Sequence, residues 1–209
     1  MLFEDINMAI WQFRIDLIPE KAICSRFACV PVSLTRELAE QHQWWAGHQP
    51  PPGFENRLTN LLPEVRSWSA SMRIWGDERG DTASVCYDST RNVEWIGFRV
   101  DVRHLTVGFV EGICDLAKLL RCMLMTKDYH LLAPEPNEVL LCINRSPARQ
   151  YLDDPASALR GLKLDPSPVA RLPDPKTGEP PLQDSHQKEQ GSQRGAGDDC
   201  TPPNSERPK

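Results

Sequence analysis

The chain has 209 residues, with 24 Lys and Arg against 29 Asp and Glu, which gives a net charge of −5 at pH 7. A protein that grips nucleic acid by its phosphates needs a basic surface, so this balance predicts no nucleic-acid partner. A mean hydropathy of −0.47 argues against an integral membrane protein. The N-terminal residues lack the basic and apolar regions of a signal peptide, so we expect a cytoplasmic protein.

The first predicted elements are one strand and two helices. Residues 10–17 alternate apolar and polar side chains, which is the period of a strand with one buried face. A helix is predicted over residues 33–46, capped by Ser33, and a short helix over residues 54–62. Trp44 and Trp45 are neighbours on the first of these helices, so we expect that they do not share one core.

Three further strands follow in quick succession, at residues 69–75, 82–87 and 93–103. Short polar connections between them predict an antiparallel meander. A helix over residues 106–120, strands at 122–125 and 129–132, and helices from Pro136 and over 147–152 complete the order. This order predicts an α+β fold: a mostly antiparallel sheet, in part a meander, with helices covering one face.

The composition changes near residue 161. The last 49 residues hold nine of the 19 prolines and no aromatic residue. Such a segment buries too little apolar surface to offset the entropy of ordering it. We therefore expect one α+β domain over residues 1–160 and a disordered tail over residues 161–209.

Four residues have the spacing of a zinc finger, C-x4-C-x12-H-x5-H: Cys24, Cys29, His42 and His48. Ser33 and Ala39 occupy the positions where a finger core has its aromatic residue and its leucine, and three prolines closely follow the last histidine. A structural zinc protein therefore stays an alternative, and we expect neither a metal nor a cofactor.

A small enzyme is a second alternative. Asp101, Arg103 and His104 bring an acid, a cation and a base together where a strand is predicted to end. The sequence contains neither a glycine-rich phosphate loop nor a G-x-S-x-G nucleophile motif. We therefore expect a protein without enzymatic activity.

A surface for binding another protein is the third possibility that the residues suggest. Asp77, Glu78 and Asp81 form an acidic turn between two predicted strands. Trp75 ends the strand before this turn, and Trp95 is predicted on the face of a later strand opposite Ile96 and Phe98. Aromatic residues surrounded by charges are the usual anchors of protein–protein contacts. We predict that these five residues contact a protein partner.

A series of short segments between residues 44 and 155 carries a resemblance to a known group of proteins: Trp44-Trp45, residues 49–51, Leu62-Pro63, Ser67-Trp68, residues 75–81, Tyr87-Asp88, residues 98–103, 109–120 and 122–126, and residues 146–155. In these segments the chain resembles uncharacterised bacterial proteins similar to immunity proteins of polymorphic toxin systems. The resemblance implies a partner-binding α+β domain without a catalytic motif, and it suggests a toxin domain as the partner. A mildly acidic domain suits a basic toxin, because complementary charge speeds association.

Overall fold

The fold is built on a seven-stranded antiparallel sheet. The computed structural model describes residues 9–156 and 158. The strand order is β2-β3-β4-β5-β1-β6-β7. The predicted tail, residues 161–209, lies outside the described residues. The strands are β1 (Gln12–Pro19), β2 (Glu64–Val65), β3 (Met72–Gly76), β4 (Thr82–Tyr87), β5 (Val93–Asp101), β6 (Cys122–Thr126) and β7 (Leu131–Leu132).

The first strand occupies an interior position of the sheet. Strands β3 to β5 form the predicted meander, and the short β2, which we did not predict, pairs with β3 at its edge. Strand β1 pairs with β5 on one side and with β6 on the other. The registers Ile15↔Phe98 and Leu17↔Leu124 place apolar side chains of three strands on one face. All four of these side chains are at most 1% exposed, so this face carries the main core.

Helices pack against the face that carries the main core. The ring of Phe109, on α4, meets Phe98 of β5 edge-on at 6.3 Å between centroids. The side chain of Leu61, on α3, lies directly against Gly112 of α4. The structure therefore confirms the predicted α+β fold. The helices are α1 (Glu20–Cys24), α2 (Arg36–Gln41), α3 (Glu55–Leu61), α4 (Val107–Leu120), α5 (Pro136–Arg145) and α6 (Pro147–Asp153), with a 3-10 turn at Val102–His104.

The second helix is shorter than predicted. Thr35 is its N-cap, because the Thr35 hydroxyl accepts a hydrogen bond from Leu38 N at 3.3 Å, and Ser33 instead forms a β-bridge with His130. The helix ends before Trp44 and Trp45, and the chain then turns. Both tryptophans therefore reach the main core, so the expectation that they would not share one core is wrong.

Gly76, at the end of β3, is held in a conformation that other residues rarely adopt. Its φ is +91°, and an added Cβ would collide with the carbonyl oxygen of Asp81 and lie 2.9 Å from Leu62 Cδ1. Gly47 offers a matched control, because its φ is +75° but an added Cβ would meet nothing within 4 Å.

We expect Gly76→Ala to lower the free energy of unfolding more than Gly47→Ala does. The control bears only the left-handed backbone cost, about 1 kcal/mol, while Gly76→Ala adds a steric cost of about 1–3 kcal/mol. Urea unfolding of the two variants and the wild type measures the difference. Equal destabilisation by both substitutions would contradict the predicted collision with Asp81.

Candidate functional site

The sheet has a second face, opposite the main core, on which polar side chains dominate. Alternation along each strand sends neighbouring side chains to opposite faces, so Gln12, Arg14 and Asp16 of β1 lie here. Arg14 is paired in register with Arg99 of β5, and Arg99 is in turn paired with Thr82 of β4. A separate small apolar cluster lies on the same face, built from Met72, Ile74, Cys86 and Trp95.

A cavity of about 300 Å³ opens on this second face. Three tryptophans line it, Trp11, Trp68 and Trp95, and we call it the tryptophan cavity. Trp68 is 66% exposed, which is unusual for the largest apolar side chain and places it at the edge of the cavity. Met72 and Ile74 add apolar wall, and Arg99 adds a cation.

Trp95 is held flat against the sheet by a glycine. A Cβ on Gly97 would collide with the six-membered ring of Trp95, so the absent side chain makes room for the indole. The guanidinium of Arg14 lies 5.5 Å from the centre of the same indole, a cation–π contact. Trp95 is therefore fixed from two directions, and it forms a firm wall of the cavity.

Asp16 lies beside this wall and is almost completely buried, at 5% exposed. Burial raises the pKa of its carboxyl, and the neighbouring Arg14 and Trp95 oppose the rise. Arg14 Nη2 lies 2.9 Å from the Asp16 carboxylate. The buried carboxylate is therefore compensated by a cation on the same strand.

Arg99 has no such compensation among the described residues. Its guanidinium makes neither a hydrogen bond nor an ion pair with them, although the side chain is partly buried in the cavity wall. Burial lowers the pKa of its guanidinium, and the negative charge of Glu78 partly offsets that effect. An arginine stays protonated at neutral pH, so this cavity contains a positive charge that no described carboxylate pairs with.

The predicted acidic turn borders the tryptophan cavity, and Glu78 lines it together with Trp95. The turn is anchored to the sheet: Gln12 Nε2 donates to the carbonyl of Glu78 at 3.0 Å. The Asp81 carboxylate accepts from the backbone N–H of Asp101 at 2.8 Å, and that of Asp77 accepts from the N–H of Arg79 at 2.8 Å. Two of the three acids thus fix the turn, and the exposed Glu78 is the one that faces the cavity.

Trp75 lies in the main core, away from the cavity that Glu78 and Trp95 line. It is 0% exposed, lies in the main core, and donates its indole N–H to Thr59 Oγ1 at 3.1 Å. Its strand alternation explains this, because Trp75 is paired with Ala83, whose partner Phe98 belongs to the main core. The side chain of Trp75 is therefore not on the surface where we predicted a partner contact.

Of the three residues of the enzyme alternative, Asp101 and Arg103 pair with each other and His104 is exposed. Asp101 accepts from Arg103 Nε at 2.9 Å and from Arg103 Nη2 at 2.8 Å, and it also accepts from the backbone N–H of Arg103. These hydrogen bonds hold the pKa of Asp101 below its ordinary value. His104 is exposed, and none of the three residues lines the tryptophan cavity. The pair caps the 3-10 turn, which is a structural role.

The buried cysteines carry unreactive thiols. Burial raises the pKa of Cys86 and of Cys114 to about 11, and that of Cys122 to about 12. A thiol is nucleophilic only as the thiolate, which such pKa values disfavour at neutral pH.

The zinc alternative is not supported by the described part of the chain. Within it, no group of three or more His, Cys, Asp and Glu side chains is arranged to hold a metal ion. Cys24 and Cys29 are exposed, while His42 packs edge-on against Trp44 at 4.5 Å between ring centres. In residues 9–156 and 158, no helix has the length and apolar character that crossing a membrane requires.

Comparisons of the chain with protein-family models, with curated proteins and with solved structures find no match. The resemblance to toxin-immunity proteins therefore stays an expectation from the residues quoted for it.

Arg99, Trp68 and Trp11 are among the cavity residues that we did not predict as contact residues. The signal for Arg99 was present, because the alternation of β5 puts it on the same face as Trp95. Trp68 lies outside the strands, so strand periodicity could not place it.

We expect Asp101→Asn to lower the free energy of unfolding by about 1–2 kcal/mol at neutral pH, because hydrogen bonds to a charged group are lost. The pKa of Asp101 is below its ordinary 3.8 in the folded chain, so its carboxylate stabilises the fold above that value. That contribution is lost as the pH falls through the folded-state pKa. Urea unfolding at neutral pH and at about pH 3 checks this, with the exposed Asp115→Asn as control. If Asp101→Asn lowered the free energy of unfolding equally at both pH values, the predicted role of the Asp101 carboxylate would be wrong.

Arg99→Gln should leave the thermal midpoint unchanged or raise it. The substitution removes a partly buried charge that no described carboxylate pairs with, and burying such a charge opposes folding. Arg103→Gln is the matched control, since it removes a cation that is hydrogen-bonded to Asp101, and it should lower the midpoint. Thermal unfolding followed by circular dichroism measures both. A drop of many degrees for Arg99→Gln would show that Arg99 holds the fold together.

Proposed function

We propose that this chain is a protein-binding domain and that the tryptophan cavity with its rim is the contact surface. The observation that carries the proposal is the exposed Trp68 at the edge of a cavity that the exposed, charged Glu78 and Arg79 also line. Tryptophan and arginine are the residue types most enriched among the energetic anchors of protein interfaces. Glu78, Arg79 and Arg99 supply the polar rim that such anchors usually have.

The rigidity of this surface favours the same function. Trp95 is fixed by Gly97 and Arg14, and the turn that carries Glu78 is tied to β1 by Gln12 and to β5 by Asp81. A preformed surface loses little conformational entropy when a partner binds, and that raises affinity.

The partner that we propose is a bacterial toxin domain, so that the chain acts as an immunity-like inhibitor in the cytoplasm. The resemblance of residues 44–155 supports this proposal, and so does the net charge of −5, which favours fast association with a basic partner. The proposed mechanism is occlusion: the inhibitor binds over the working surface of the toxin and needs no catalytic group of its own.

We expect photo-crosslinking in the cell of origin to capture one and the same partner from two rim positions. p-Benzoylphenylalanine replaces Trp68 in one variant and the exposed Glu78 in another. The control replaces Leu141 of α5, which is 50% exposed and does not line the cavity. The rim variants should give one shared adduct that excess unmodified protein suppresses, and the control should not.

The captured partner then tests the immunity-like role. Expressed alone it should stop growth, and co-expression of this chain should restore growth. Adducts that differ between the two rim positions, or that also form at position 141, would overturn the contact surface. A single captured partner without toxicity would overturn only the toxin assignment.

A further inference from the structure

Arg99 is the charged residue of the tryptophan cavity whose guanidinium forms no ion pair with the described residues. Its two register neighbours on the same face are Arg14, which is paired with Asp16, and Thr82, which has no charge. Arg103, at the end of the same strand, is paired with Asp101. The described residues thus supply a carboxylate to the neighbouring arginines and none to Arg99.

Among the described residues that line the cavity, the charges sum to one positive, with Arg79 and Arg99 as cations and Glu78 as the anion. Glu78 acts on Arg99 at a distance, raising the pKa that burial lowers, and it forms no ion pair with it. A single negative charge would therefore neutralise the cavity, and a doubly charged phosphate would leave an excess of negative charge beside Glu78.

The walls select for an apolar or aromatic group next to that charge. Trp68 and Trp95 offer indole surfaces, and Met72 and Ile74 of β3 add apolar side chains to the lining. A volume of about 300 Å³ accommodates one or two amino-acid side chains. A guanidinium pairs with a carboxylate through two parallel hydrogen bonds, and partial exclusion of water strengthens them.

We propose that the tryptophan cavity receives an Asp or Glu side chain of the protein partner, which pairs with Arg99, while an adjacent aromatic side chain packs on Trp68 and Trp95. This inference rests on the proposed function, because it names the chemistry of the segment that binds to the proposed contact surface. The occupant is an internal acidic side chain, and a free chain terminus is an alternative that the test separates.

The test uses the full chain and three short peptides. The first is acetyl-Gly-Phe-Glu-Gly-amide, the second has Gln in place of Glu, and the third is acetyl-Gly-Phe with a free terminal carboxylate. The readout is the set of indole N–H signals of Trp11, Trp68 and Trp95 in 15N NMR spectra, assigned with single Trp→Phe variants. The dissociation constant of each peptide follows from the titration of those signals.

We expect the Glu peptide to shift the signals of Trp68 and Trp95 and to bind about tenfold or more tightly than the Gln peptide, as for a hydrogen bond to a charged group. Added salt should weaken the Glu peptide more than the Gln peptide. Arg99→Gln should abolish the difference between the peptides, and Arg99→Lys should retain part of it. The control Arg57→Gln, at an exposed position of α3, should leave the difference intact.

Three results would overturn the proposal: equal binding of the Glu and Gln peptides, absence of indole shifts with all peptides at millimolar concentration, or an unchanged preference in Arg99→Gln. Tightest binding of the free terminal carboxylate would assign the cavity to a chain terminus instead. A preference that depends on protein concentration and is lost in a dimeric fraction would assign it to a second copy of this chain.

Failure of this inference and failure of the proposed function give different results. If crosslinking from positions 68 and 78 captures one partner while the peptides show no preference for Glu, the contact surface stands and the acidic anchor is wrong. If the peptides bind as expected while crosslinking fails, the cavity binds acidic groups and the protein-binding function is wrong.

Discussion

The alternation of side chains along β1 is the constraint on which both faces of the sheet depend. This strand lies between β5 and β6, so every one of its side chains is committed to one face or the other. Phe13, Ile15 and Leu17 supply the main core, and the residues between them must then lie on the second face. A shift of one residue in register would exchange the two sets and place Arg14 and Asp16 in the main core. The polar side chains of β1 on the second face are therefore a direct consequence of the apolar pattern that builds the fold.

Two buried carboxylates on the second face are each compensated by a nearby arginine. Asp16 is buried but close to Arg14, and Asp101 is buried but bound by Arg103. Arg14 and Asp16 stand two positions apart on β1, so alternation puts them on one face. Arg103 lies in the 3-10 turn that follows β5, and it reaches Asp101 from there. Gly97 and Asp101 stand two positions from Arg99 along β5, and Asp101 is already engaged by Arg103, so neither of them offers Arg99 a free carboxylate.

The architecture could be predicted from the sequence because its signals are local. Period-two alternation in β1 and β5, polar turns between β3, β4 and β5, and the apolar stripe of α4 each reveal one element at nearly its observed bounds. Contacts between distant residues were not predictable in this way. The bond from Gln12 to the carbonyl of Glu78 spans 66 residues, and Trp75 is buried because α3 covers it through Thr59. Strand pairing across the sheet decides such contacts, and the tail at residues 161–209 stays a prediction.

The tryptophan cavity joins features that a fold would avoid if stability alone decided its sequence. An indole that is 66% exposed gains little from the hydrophobic effect, and a partly buried guanidinium with no counter-ion among the described residues opposes folding. Both features lie beside walls that the fold holds firmly, through Gly97 under Trp95 and through the anchored turn at Asp81. Within the part of the chain that the structure describes, these two side chains leave favourable interactions unmade, and a binding partner can supply them. A protein partner that covers Trp68 and brings a carboxylate to Arg99 would complete both interactions at once, and the affinity for that partner would then come from what the folded chain alone leaves incomplete.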